Sequence, residues 1–125
     1  MKTIKINSLL EIPENYTGIA ESSNGNKWWF KEGKYHREDG PAVEYPNGTK
    51  CWYKNGKLHR EDGPAYDSPT GYKAWHLEEK EYHPINLKDY VILDFYQGRY
   101  NLIWYKLLDK NRVFEYPDIP GLIEK

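Results

Sequence analysis

The chain has 125 residues with a formal net charge of −1, a mean hydropathy of −0.95 and 16% aromatic residues. Interspersed charge of this kind offers no broad basic surface to a nucleic-acid backbone or a membrane, and the aromatic residues supply burial that a disordered chain lacks. A single cysteine excludes an intrachain disulfide and a cysteine-rich zinc site, and no signal peptide or long apolar run is present, so one soluble cytoplasmic domain (1–125) is expected.

Met1 to Tyr16 opens on an alternating stretch, Thr3 to Ile6, and reads as an N-terminal cap over residues 1–15. Residues 16–83 are repetitive. KYHREDGPAV at Lys34 to Val43 returns almost unchanged as KLHREDGPAY at Lys57 to Tyr66. Trp29, Trp52 and Trp75 keep step with it at intervals of 52 − 29 = 23 and 75 − 52 = 23 residues. A period in this range marks a stacked or meandering repeat protein.

Turn chemistry defines each unit. KEGK (Lys31 to Lys34) and KNGK (Lys54 to Lys57) are two-residue hairpin loops with glycine second, where positive φ costs glycine little. They set Trp29 opposite His36 and Trp52 opposite His59. SNG, PNG and PTG (Ser23, Pro46 and Pro69 onward) read as three-residue loops, because β-branched Thr70 is a poor fit to a primed two-residue turn. That register places Glu21 opposite Lys27, Glu44 opposite Lys50 and Asp67 opposite Lys73, three opposite-charge pairs at equivalent places. REDGPA is then the remaining corner. Asp39 and Asp62 are expected to bond nearby backbone, Gly40 and Gly63 to supply an unusual dihedral, and proline to restart extended chain.

Alternation sorts the side chains onto two faces. The expected core face carries Trp28, Phe30, Tyr35, Val43, Tyr45, Cys51, Tyr53, Leu58, Tyr66 and Ala74, with Arg37 and Arg60 at its ends. The other carries Trp29 with His36, Trp52 with His59 and Trp75 near Tyr82, beside the charged pairs. A row of indoles among charges is either a structural ladder covered by lysine stems or a binding surface.

Residues 84–125 break the period and read as a C-terminal cap laid on the core face. YVILDF (Tyr90 to Phe95) has strand composition, although a helix from Leu87 is compatible with Asn86 and Lys88. NLIWYKLLD reads as a short helix with Asn101 as N-cap and Leu102, Ile103, Leu107 and Leu108 buried. VFEY is the last strand. The expected fold is thus mainly β, an antiparallel meander of these repeats closed by a non-repeating C-terminal cap with a short helix.

The units WWFKEGKYHREDGPAVEYPNGTK and CWYKNGKLHREDGPAYDSPTGYK resemble the MORN-variant "HREDGPA" repeats of phage, giant-virus and bacterial proteins, over roughly Tyr16 to His83. The resemblance implies a β-meander interaction module, often viral, and no activity. The third unit departs from the pattern, with LEEKEYH in place of KNGKLHR and HPIN in place of REDGP.

Histidine occurs once per unit, at His36 and His59, whereas a metal site needs several ligands converging on one point. No nucleophile motif accompanies the histidines, so neither a catalytic residue, a metal nor a cofactor is expected. Two functions are consistent with these residues. One is a non-enzymatic protein-binding module, such as a phage-encoded modulator of a host factor. The alternative is a protein that sequesters a small anionic molecule or nucleotide, stacking a base on tryptophan and pairing a phosphate with Arg37 or Arg60. The residues expected at the binding surface are Trp29, His36, Trp52, His59, Trp75, Tyr96, Tyr100 and Trp104. Oligomeric state is left open.

Overall fold

The computed structural model describes residues 1–125, which fold mainly into β-strands with helix only as three short 3₁₀ turns. Turn geometry follows the sequence. Glu32 with Gly33 and Asn55 with Gly56 take left-handed conformations, φ between 50° and 82°, which is the primed hairpin turn whose twist matches its strands. Across PNG, Gly48 at φ 95° donates its N–H to Tyr45 O at 3.0 Å, and Tyr45 donates to Thr49 O at 3.0 Å. This is the three-residue loop with glycine in the left-handed position.

Both loops hold the expected register. Glu21 stands opposite Lys27, Glu44 opposite Lys50 and Asp67 opposite Lys73. Adjacent hairpins pair in the same phase, Lys27 opposite Glu44 and Lys50 opposite Asp67, and Lys5 lies beside Glu21. The result is an unbroken file of alternating charges across the sheet, which penalises any slip in pairing because a slip would part the opposite charges or turn the apolar set outward.

The strands Thr3–Ile6, Gly18–Ser22, Lys27–Lys31, Val43–Glu44, Lys50–Cys51, Tyr66–Asp67, Lys73–Leu77 and Lys80–Tyr82 lie side by side in that order. All pair antiparallel except the first two, which run parallel. The Tyr53–Lys54 and Lys57–Leu58 hairpin leaves this sheet as a separate ribbon. Hairpin tips rest on one another through backbone bonds of 2.9 Å from Gly33 to Tyr16, Gly56 to Tyr35 and Glu79 to Leu58.

Two hydrophobic clusters form. One is made by Ile6, Tyr16, Ala20, Trp28, Phe30, Val43 and Cys51, with half-buried Tyr35, Tyr53, Leu58 and Tyr66 against it, so most of the expected core face is buried or half-buried. Tyr45, expected there too, is exposed. The second joins Trp75, Leu77 and Tyr82 to Leu87, Trp104, Leu107, Tyr116, Ile119 and Leu122. The cap therefore covers the indole face of the third unit and not the expected core face. The third unit explains why. Leu77 stands where the earlier units carry Lys31 and Lys54, and Tyr82 where they carry His36 and His59, so only here does this face become apolar.

Within the cap, Val91–Gln97, Ile103–Asp109 and Arg112–Pro117 form an antiparallel three-stranded sheet, and Ile85–Asn86 runs parallel to Ile123–Glu124. The expected helix in NLIWYKLLD is replaced by the central strand Ile103–Asp109, which is paired on both sides. Strand pairing satisfies its backbone and buries Trp104 and Leu107, outweighing local helix propensity. Asn101 ends a 3₁₀ turn, Arg99–Asn101, instead of capping a helix. Leu87–Asp89 is likewise a single 3₁₀ turn, its Lys88 N–H bonded to Asn86 Oδ1 at 3.0 Å. No helix is long and apolar enough to cross a membrane.

Candidate functional site

The HREDGPA corner is built around its arginine. The Arg37 guanidinium lies 3.9 Å from the Trp29 ring centre and the Arg60 guanidinium 3.7 Å from that of Trp52. Arg37 donates from Nε to Asp39 Oδ1 at 3.0 Å and from Nη1 to Pro41 O at 3.1 Å; Arg60 does the same to Asp62 at 2.8 Å and Pro64 O at 3.1 Å. The arginines thus cover the indole face instead of ending the core face, and the aspartates accept from arginine instead of backbone. Stacking gives the guanidinium a π partner while its N–H groups remain bonded.

The corner glycines serve this stack by their size. Neither Gly40 nor Gly63 has a positive φ, one of the forms that the expected unusual dihedral could take. A Cβ would instead meet the guanidinium carbon, at 2.9 Å from Gly40 and 3.0 Å from Gly63. Gly63→Ala is therefore expected to push Arg60 off Trp52 and lower stability by about 1–2 kcal/mol, the scale of a lost cation–π contact and hydrogen bond. Chemical denaturation checks this, and an unchanged midpoint would show that the guanidinium moves without cost.

Each histidine ties its unit to the next. His36 Nδ1 accepts the Asn55 N–H at 3.0 Å and His59 Nδ1 accepts the Glu78 N–H at 3.0 Å. These bonds assign the proton to Nε2, which donates to Glu38 at 2.8 Å and to Glu61 at 2.6 Å. The bond from His36 holds the Glu38 carboxyl below its usual range. With both ring nitrogens engaged and the rings 8% and 6% exposed, neither imidazole presents a free site to a substrate.

The eight expected binding residues do not converge. Trp29 and His36 line a groove of about 570 Å³ with Lys31, Arg37, Glu38 and Asp39, but the Trp29 indole is buried under Arg37. Trp52 is half-buried beneath Arg60. Tyr100 joins His59, ring centres 4.9 Å apart, beside a recess of about 190 Å³ that Lys54, Lys57 and Glu78 complete. Burial and the bond to Glu78 push the Tyr100 phenol up to about 12. Trp75 and Trp104 belong to the second core, their indoles donating to Pro120 O at 3.1 Å and Arg99 O at 3.0 Å. At 1% exposure Trp104 is closed to a partner, which corrects the expected anchor.

Tyr96 leads to a surface whose other apolar members, Val91, Ile92, Leu93 and Phe95, are not among the expected binding residues. It lies on Val91–Gln97, a strand whose residues are all exposed, with Phe95 at 65% and Val91, Ile92 and Leu93 also open. This strand pairs with Ile103–Asp109 alone, so its other edge is free. A continuous apolar run reads equally as a strand buried on both faces, and the one local sign of an edge is Asp94 in its middle. No family model, curated protein or solved structure matches the chain.

Proposed function

We propose that the chain is a non-enzymatic protein-binding module in which the repeats form a stiff scaffold and Val91–Gln97 is the docking edge. The observation that carries this reading is a seven-residue strand, exposed throughout, holding Val91, Ile92, Leu93, Phe95 and Tyr96 beside an open backbone edge. Exposed apolar edges invite pairing with another chain. Sequestration of a small anion is less well supported, because Arg37 and Arg60 are already stacked and bonded inside their own corners. The likeness of the units to HREDGPA repeats fits a modulator of a host factor, acting in the cytoplasm.

The test compares proteins captured from lysate of the native host by the wild type and by Phe95→Lys, with mass spectrometry of retained proteins and released small molecules. Phe95→Lys is expected to leave unfolding unchanged and to weaken the captured protein's binding by about 2 kcal/mol, the loss of an interface anchor. Release of a small molecule with no protein retained would favour sequestration instead.

A further inference from the structure

We infer that the Val91–Gln97 edge accepts an extended segment of another protein as an added strand, and that a lysine or arginine of that segment, set among apolar residues, pairs with Asp94. This rests on the docking reading above and names the chemistry of the partner.

Backbone geometry shows what the edge offers. Gly98 donates its N–H to Leu102 O across the pair, at 2.9 Å. Bonding residues alternate along an antiparallel strand, so Tyr96 and Asp94 also face the neighbour, while Phe95 turns its N–H outward. That outward N–H is occupied by the strand's own Asp94 carboxylate, at 2.8 Å. Lys106 stands opposite Asp94 in the register, yet the carboxylate bonds the Phe95 N–H. An incoming cation would draw the carboxylate away and free the Phe95 N–H for a carbonyl of the added strand. Both groups then exchange one partner for another.

The position of Asp94 also argues against a second copy as the occupant. It is the middle residue of Val91–Gln97, so symmetric antiparallel pairing of two such edges would set Asp94 opposite Asp94. Like charges directly opposite oppose pairing, and a charge on an edge is a known guard against self-association. A basic strand meets no such penalty.

The experiment uses two capped nine-residue peptides of alternating threonine and valine, one with lysine and one with glutamate at the centre. Calorimetry should show the lysine peptide binding wild type about fivefold to tenfold more tightly, the combined effect of an attractive and a repulsive cross-strand pair. Asp94→Lys should reverse the order, and hydrogen exchange at the Phe95 amide should slow when the lysine peptide binds wild type. Equal affinities, a preference unchanged in Asp94→Lys, or no binding of either peptide would overturn the inference. If Phe95→Lys still abolishes capture of the native partner, the docking reading survives that failure; if it does not, both fall. A wild-type dimer in sedimentation that Phe95→Lys dissociates would replace the basic strand by a second copy.

Discussion

Trp104→Ala should destabilise the protein by about 3–5 kcal/mol, the usual cost of removing a large aromatic from a core that cannot collapse around the space. Its indole is the hub of the second cluster, lying edge-on to Tyr82, beneath the Arg99 guanidinium at 4.3 Å and bonded to Arg99 O. The substitution leaves that carbonyl with the Leu102 N–H as its remaining donor and opens a gap between the cap and the third unit. A marginally stable domain loses a large share of its stability to such a change. Urea denaturation followed by far-ultraviolet circular dichroism measures it, and Trp104→Phe should recover part of the loss. A cost below about 1 kcal/mol would mean that the cap collapses around the gap, contrary to close packing.

His59→Ala should cost about 2–3 kcal/mol, and more than His36→Ala. Both substitutions remove the imidazole acceptor of a part-buried backbone hydrogen bond, worth about 0.5–1.5 kcal/mol, and empty the space of a ring that is itself buried. The difference lies in the residues that are held. His36 fixes Asn55, which adopts the left-handed conformation readily, whereas His59 fixes Glu78, at φ 48° and next to Glu79 at φ 74°. Strained turns of this kind persist only when their surroundings hold them. His59 also supports the Tyr100 ring, and Tyr100 is itself left-handed at φ 60°. Parallel urea titrations of the two variants decide the matter, and equal losses would remove the argument from Glu78.

The repeat half of the fold was readable because its signals are local. A glycine in the second loop position permits the primed two-residue turn that sets Trp52 against His59, and the three-residue PNG loop sets Glu44 against Lys50, both without reference to distant residues. The corner was readable only in part. Arg37 is five residues ahead of Ala42, and strand alternation put it on the core face, but the chain leaves strand geometry at the corner and the guanidinium swings over Trp29. The glycine beside it looked like a hinge for the backbone and is space for a side chain. As for the candidate site, the pairing of Trp29 with His36 and Trp52 with His59 was visible, while the coverage that removes those indoles from partners was not.

By itself the sequence determined the period, the turns, the strand register and the alternating charges, since each depends on residues a few positions apart and on chemistry that short segments enforce. Tertiary structure alone decided the rest. NLIWYKLLD has the leucine spacing of a short helix, and it became a strand because Val91–Gln97 and Arg112–Pro117 flank it and bond its backbone on both sides. The run Val91 to Leu93 has the composition of an interior strand, and it is exposed because nothing in the chain lies against its outer edge. Whether an apolar strand is buried depends on which neighbours the rest of the chain supplies, and that is a property of the assembled fold, not of the segment.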